Sequence, residues 1–175
     1  MSDYKLWSFS YLNLLPKQHE HDSGPRKPKE CSKEVFQKVI KHQKQLAKDD
    51  RSYNWGLYLK KTGQFVGMID IYVSGRGGLA CANLGYVIFN NFWRSGYANE
   101  ALNKIIKAAL VDLKLNRLEA VVDINNKASI KLAKKLNLRH EGIRKGYWFH
   151  EGNWTDQRVF VADRKLLKLP KLRPS

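Results

Sequence analysis

The stretch LGYVIFNNFWRSGYANEAL, residues 84–102, decides the fold. An apolar run from Leu84 to Phe89 ends at Asn90-Asn91, and a glycine-bearing turn follows over Trp93-Arg94-Ser95-Gly96-Tyr97-Ala98. Behind the turn Ala98, Ala101, Leu102, Ile105, Ile106, Ala109, Leu110 and Leu113 recur at helical spacing. A strand, a small-residue turn and a helix start make an anion site. The first N–H groups of a helix have no intrahelical acceptor and point outward, and the helix dipole adds positive potential. Gly96 allows backbone to approach a phosphate, and Ala98 keeps the next contact small. The turn lacks the Lys-Ser/Thr close of a Walker loop and the three spaced glycines of a dinucleotide fold. Taken alone, it also reads as an ordinary helix start.

Working outward, Ser32 has the chemistry of an N-cap, and Val35, Phe36, Val39, Ile40, Gln43 and Leu46 predict an amphipathic helix to about Lys48. Strands are expected at 55–60 and 64–73, joined at Thr62-Gly63, and again at 81–89 after Gly75-Arg76-Gly77-Gly78. Beyond the central helix, 117–124 reads as a buried strand and 128–136 as a short helix. Residues 139–149 and 154–162 form a hairpin around Glu151-Gly152-Asn153. Residues 4–15 are expected to be a first strand, and 16–31, rich in Pro, Gly and charge, a loop. No repeat or linker divides the chain, so one domain over 1–175 is expected, with a basic tail at 164–175.

Two blocks carry a resemblance. WRSGYANEAL resembles the acetyl-CoA-binding signature of the GNAT acetyltransferases, nearest the branch that acetylates ribosomal-protein N-termini. There the turn reads Trp-Gly-Lys-Gly-Tyr-Ala-Thr-Glu-Ala. Trp93, Gly96, Tyr97, Ala98, Glu100 and Ala101 match, while Ser95 and Asn99 replace Lys or Gln and Thr. NNKASIKLAKKLNLRHEG, 125–142, is similar to the branch's Asn-x-x-Ser, helix, turn and Glu-Gly. Asn126, Ser129, Glu141 and Gly142 match, with Asn137-Leu138 where Gly-Phe is usual. The likeness covers roughly residues 53–163.

The resemblance implies an α/β (α+β) GNAT fold. Its mixed central sheet would have about seven strands, splayed to admit acetyl-CoA, with helices on both faces. It implies Val87, Ile88 and Phe89 as partners of the pantetheine backbone, with free N–H groups near Phe89 to polarise the thioester carbonyl. Arg94, Ser95, Gly96, Tyr97, Ala98 and Asn99 would hold the pyrophosphate. Asn126 and Ser129 would lie at the thiolate end, unless they only cap the 128–136 helix. Two departures stand out. Ala133 occupies the place of a tyrosine acid found in many members, and Trp148 lies near where some carry a glutamate base. His150, Glu151 and Asp156 are the nearby ionisable residues, and His150 has the useful intrinsic pKa. Glu151 is expected to be a solvated hairpin residue, and Tyr86 and Tyr97 packing residues.

Composition bounds the rest. The formal charge is +16, and residues 102–139 alone hold nine Lys/Arg against three Asp/Glu. That potential favours anions such as coenzyme A, RNA or acidic protein surfaces, or it is simply a solvated basic face. Basic and aromatic residues interleave at Arg144, Lys145, Tyr147, Trp148 and Phe149. They suit stacking on RNA bases or a half-buried strand. No apolar run is long enough to cross a bilayer. The N-terminus has no signal-peptide pattern, and Cys31 and Cys81 do not make a disulfide scaffold. A cytoplasmic monomer or homodimer with no membrane contact is expected. His19-Glu20-His21-Asp22 lacks a second ligand pair at zinc spacing, so no metal is expected, and its loop borders the acceptor site in the family.

These expectations converge on transfer of acetyl from acetyl-CoA to an amine. The acceptor expected first is a protein α-amine, as on a ribosomal protein, with weak RNA or ribosome contact through the basic surface. The alternatives are a small amine (polyamine, amino acid or aminoglycoside) and a non-catalytic RNA- or ribosome-binding module.

Overall fold

The computed structural model describes residues 33–150 and 152–172. The expected first strand at 4–15, the loop at 16–31, the Ser32 cap, Cys31, Glu151 and the His19–Asp22 cluster lie outside them. The elements are α1 (Lys33–Lys48), β1 (Ser52–Tyr58), β2 (Phe65–Gly75), β3 (Cys81–Ile88), a 3-10 turn (Asn90–Phe92) and α2 (Tyr97–Val111). Then come β4 (Arg117–Asp123), α3 (Lys127–Lys135), β5 (Arg139–His150) and β6 (Asn153–Asp163). Among the described residues the sheet has six strands in the order β1-β2-β3-β4-β6-β5, against the seven or so expected. It is mixed: β3 runs parallel to β4, while β4–β6 and β5–β6 are antiparallel.

Backbone contacts divide the chain into two compact units. One comprises residues up to Ile71 together with Tyr86–Ser95, and the other Tyr72–Gly85 with Gly96 onward. In the first unit, Gly63 N–H donates to the Leu59 carbonyl at 2.8 Å and Leu59 N–H to the Gln64 carbonyl at 2.9 Å. This closes the β1–β2 hairpin that Thr62-Gly63 signalled. Odd positions of β2 (Phe65, Ile69, Ile71) are buried. The Phe65 ring lies tilted against Tyr58 at 5.1 Å and edge-on to Phe89 at 5.3 Å. β1 buries two polar residues as well. Asn54 Nδ2 donates to Gln43 Oε1 of α1 at 2.5 Å and to Ser52 Oγ at 3.1 Å, which satisfies its amide.

In the second unit the apolar stripe of α2 (Leu102, Ile105, Ile106, Ala109, Leu110) is buried, as are alternate β4 residues Leu118, Ala120 and Val122. β6 is buried on both faces from Val159 to Ala162, as a strand between β4 and β5 should be. Helix α3 ends in a Schellman turn. Leu138 N–H donates to the Ala133 carbonyl, Asn137 N–H to that of Lys134, and Asn137 takes φ 57°. Asn is the best non-glycine residue for that backbone, which explains how it stands where the family uses glycine. The tail is less free than its charge suggested. Arg164 donates to the carbonyls of Leu110 and Pro170, so it ties the chain to the end of α2. Lys165, Lys168 and Lys171 remain exposed.

Candidate active site

Residues expected to meet the cofactor fall in both units. In the first, β3 runs beside the start of β2. Phe89 N–H donates to the Val66 carbonyl at 3.0 Å, and a Cβ on Gly67 would sit 2.1 Å from the Val87 oxygen. The N–H of Phe89 itself is therefore spent inside the sheet and is not one of the free N–H groups expected near it. The Phe89 side chain is buried against Phe65. Val87 and Ile88 are half-buried. Trp93 folds back so that its indole N–H donates to the Ile88 carbonyl at 2.7 Å, which fixes the path of the turn.

The turn itself is strained in a defined way. Arg94 (φ 63°) and Gly96 (φ 84°) are both left-handed, on either side of Ser95. For Arg94 this backbone costs about 1–2 kcal/mol, whereas Gly96 adopts it freely. Alternation of right- and left-handed residues turns successive N–H groups to one side, a backbone arrangement suited to anions. Arg94, Ser95 and Gly96 are exposed, and a Cβ on Gly96 would meet nothing within 4 Å.

In the second unit Gly96 is the N-cap of α2, and no side chain caps the helix start. A cap would have occupied N–H groups that an anion can use. Tyr97, Ala98 and Asn99 are half-buried in the first turn. Asn99 Oδ1 is buried with no hydrogen-bond partner among the described residues. Glu100, the acid of this turn, pairs with Lys104 at 2.8 Å and is well exposed.

The pairing of β3 with β4 is short. Cys81, Ala82 and Asn83 face Arg117, Leu118 and Glu119, and there the register ends among the described residues, although both strands continue. From Arg117 to Asp123, β4 is paired with β6 throughout. Cys81 is a buried free thiol whose acidity burial weakens first of all, so it is a packing residue and a poor nucleophile.

Beyond β4 the chain enters α3 through a braced turn. Asn126 Oδ1 accepts the N–H of Ser129 at 3.0 Å, so Asn126 is the N-cap. Asp123 accepts the N–H of Asn125 at 2.7 Å on one carboxylate oxygen and Gln157 Nε2 at 3.2 Å on the other. Gln157 is buried on β6 and also donates to Thr155 Oγ1 at 2.8 Å. Asp123 and Gln157, neither singled out in the sequence, therefore position Asn126 and Ser129. Ser129 is half-buried, and its hydroxyl makes no hydrogen bond among the described residues. That hydroxyl can donate to an incoming sulfur. The capping reading of Asn126 is correct, and its amide Nδ2 keeps its protons.

The other ionisable candidates part company. His150 ends β5 at the tip of the hairpin, opposite Asn153, which lies three residues before Asp156, whose carbonyl accepts Ile124 N–H. Asp156 is held by Lys145 at 2.6 Å and by Gly146 N–H, both of which lower its pKa. That is structural employment. A carboxyl the sequence reading passed over is Asp70, the lone acid of the β2 run FVGMIDIYV, where burial pushes its pKa up to about 6. An acid inside an otherwise apolar strand was the available signal. Among the described residues no group of three or more His, Cys, Asp and Glu is placed to hold a metal ion. No helix there is long and apolar enough to cross a membrane.

Comparison with known proteins agrees with this reading of the two motifs. The family model "Acetyltransferase (GNAT) domain" matches residues 3–139. An uncharacterized N-acetyltransferase of Bacillus subtilis, YoaA, is 30% identical over 115 residues, which is 66% of this chain and 64% of that protein. The chain thus spans just under two thirds of that relative's length. Among solved structures, the ribosomal-protein-S5-alanine acetyltransferase of Vibrio fischeri superposes with TM-score 0.78 at 18% identity, over 91% of each chain. A Vibrio cholerae spermidine N-acetyltransferase, SpeG, superposes with TM-score 0.73 at 14% identity, over 94% of this chain and 96% of that one. At such identities the two structures speak for the fold alone. With the signature turn, the capped Asn126–Ser129 segment and a family model covering most of its length, the chain belongs to the GNAT acetyltransferase family.

Proposed function

We propose that this protein is an N-acetyltransferase that passes acetyl from acetyl-CoA to a protein N-terminal α-amine. The observation that carries the reading is the uncapped start of α2 behind two left-handed residues, Arg94 and Gly96. The residues present suit the cofactor: exposed backbone at 94–96 and the first turn of α2 for the pyrophosphate, and the strand at Val87 and Ile88 for pantetheine. Bound acetyl-CoA supplies the activated thioester. The chain's own residues orient it and hold a proton for its sulfur. Ser129, braced through Asn126, Asp123 and Gln157, donates its hydroxyl proton toward the thiolate.

The α-amine is favoured over lysine on chemical grounds. Its pKa of about 8, against about 10.4 for lysine, leaves a useful neutral fraction at pH 7. A site with no assigned base can use that fraction directly. The S5-alanine acetyltransferase likeness points the same way. The SpeG likeness points to a polyamine, but the described residues show an excess of basic over acidic side chains, and a polycation needs the reverse. The exposed Lys165, Lys168 and Lys171 suit a ribosomal particle carrying the acceptor.

The test is an acceptor panel with acetyl-CoA, read by mass spectrometry. It includes peptides with free α-amines, the same peptides N-terminally blocked but bearing lysine, and spermidine. Acetylation confined to free α-amines is expected. Acetylation confined to spermidine would overturn the acceptor assignment.

A further inference from the structure

The lysines of α3 stand where they weaken the fold. Lys127, Lys131 and Lys135 are spaced four apart and Lys134 lies beside the last, so the four make one row along a nine-residue helix. All four are exposed and pair with no carboxylate among the described residues. Like charges at that spacing repel, and Lys127 sits in the first turn, where the helix dipole disfavours a cation. The helix contains no acid to offset them. The strands beneath have none to spare. Glu119, Glu141 and Asp163 are held by Arg117, Arg139 and Arg144, Asp156 by Lys145, and Asp123 by Gln157 and the Asn125 N–H.

Arg158 is another cation without an acceptor. It lies opposite Val122 of β4 and Ile143 of β5, hence on the sheet face that carries buried Leu118, Ala120 and Val122. Helices α2 and α3 pack against β4, whose other face is charged, with Arg117, Glu119 and Asp123. Arg158 is half-buried, and its Nε is fully buried with no hydrogen-bond partner among the described residues. A buried cation left unpaired is more costly than any surface lysine.

We propose that α3, together with Arg158, docks the phosphate backbone of RNA. The type of cation argues for that occupant over an acidic protein. Where this chain grips a carboxylate it uses the guanidinium fork, as Arg117 does on Glu141 with two nitrogens. The α3 row presents ammonium groups instead, point charges that take a phosphate oxygen from any direction. From Lys127 to Lys135 the helix rises about 12 Å, over which one nucleic-acid strand presents roughly three or four phosphates. The choice of RNA among polyphosphates rests on the ribosomal acceptor proposed above.

The other surface that the sequence offered to RNA is the aromatic run at 147–149. β4 stops pairing with β6 at Asp123 and Gln157, short of that run. Trp148 is 60% exposed and Phe149 57%, so the half-buried strand expected there is wrong. The cations of the run are already engaged. Lys145 pairs with Asp156 at 2.6 Å, and Arg144 pairs with Glu119 at 2.6 Å while its guanidinium lies 5.0 Å over the Tyr147 ring. The unspent charge is on α3 and Arg158.

The test is binding of a fluorescein-labelled RNA hairpin to the full-length protein, read as anisotropy across a salt series without acetyl-CoA. Two charge-matched variants are compared. One is Lys127→Gln/Lys131→Gln/Lys134→Gln/Lys135→Gln on α3. The other is Lys38→Gln/Lys41→Gln/Lys44→Gln/Lys48→Gln on α1, a helix with as many exposed lysines but with Glu34 in its first turn and Asp49 just beyond its end. The α3 variant should bind RNA about tenfold more weakly or worse, with a slope of log affinity against log salt shallower by roughly two to four, while the α1 variant stays within about threefold of wild type. Arg158→Met should also bind RNA more weakly, and without RNA it should melt at a higher temperature than wild type, because an unpaired cation has gone. Saturating coenzyme A should leave RNA binding in place.

No RNA binding at physiological salt overturns the proposal. Equal loss in the two lysine variants also overturns it, because binding would then follow net charge alone. Displacement of RNA by coenzyme A would return these lysines to the cofactor, and polyglutamate competing as well per charge would give the face to an acidic protein; either result overturns it. If the α3 variant does not fold, Arg158→Met decides, and wild-type RNA affinity in that variant overturns the proposal. None of these measurements involves an amine, so their failure leaves the acetyl-transfer reading standing.

Discussion

Gly67 and Val87 are in backbone contact: a Cβ at Gly67 would lie 2.1 Å from the Val87 carbonyl oxygen and 2.9 Å from Ile88 Cα. No side chain can yield there, because both obstructing atoms are main chain. The contact sets the position of the strand assigned to pantetheine. Gly67→Ala should therefore cost about 2 kcal/mol or more in stability, from forced movement of β2 or β3. It should also weaken coenzyme A binding, because the displaced strand is the one that binds. Chemical denaturation and calorimetry measure the two. Wild-type values for both would mean that the strands do not touch in solution.

Asn126 and Ser129 should separate by phenotype. Asn126→Ala removes the α3 cap and should cost about 1 kcal/mol. Ser129→Ala keeps the cap, since only the Ser129 N–H serves it, so its stability should be near wild type while kcat falls. Tm and steady-state rates on both variants check this. Equal stability loss in the two, with kcat intact, would make Ser129 structural.

Arg117 grips Glu141 with both guanidinium nitrogens, at 3.0 and 2.5 Å, and Arg139 adds a third contact at 2.6 Å. The Arg117 hydrogen bonds, then those of Arg139, hold the Glu141 pKa down at about 2. Its folded pKa is below its unfolded value of about 4.3, so its contribution is complete above that value and fades as pH falls through about 2. Glu141→Gln should lose about 1 kcal/mol at pH 7, a figure reduced for solvent screening. The difference from wild type should shrink steadily below pH 4. A pH-independent difference would locate the effect in packing.

Asp70 has the opposite sign. Its folded pKa of about 6 exceeds the unfolded value of about 3.9, so the folded state gains by keeping the proton. That gain is complete at low pH and is lost as pH rises through 6. Asp70→Asn should match wild type near pH 4 and be more stable by about 2 kcal/mol at pH 8. Thermal melts at the two pH values show it. A destabilised variant at pH 8 would mean that the ionised carboxylate has a partner.

Local pattern carried most of the secondary structure. The helical stripe from Ala98 to Leu113 lies on α2, and the strand expected at 117–124 is β4, Arg117–Asp123. Thr62-Gly63 makes its hairpin, and Asn137 still ends α3 in place of the family's glycine. What stayed hidden depends on pairing between distant residues. Nothing near Asp123 announces Gln157, because the two meet only through the β4–β6 register. Gly67 has no local turn to explain it and matters only because β3 passes over it. The aromatic run at 147–149 looked like half-buried strand because sequence does not show where β4 stops. Arg164 reads in sequence as one more charge of the basic tail, and its tie to the Leu110 and Pro170 carbonyls depends on how the tail folds back on the end of α2.

The most direct measurement is amine-dependent release of coenzyme A thiol from acetyl-CoA, using a peptide with a free α-amine, for wild type and Ala98→Glu. The substitution sets a carboxylate in the first turn of α2, where the pyrophosphate is assigned, and like charges there repel. The account predicts release that requires the amine, and a KM for acetyl-CoA raised tenfold or more in a variant that melts like wild type. No release with any amine, or an unchanged KM in the folded variant, would contradict it.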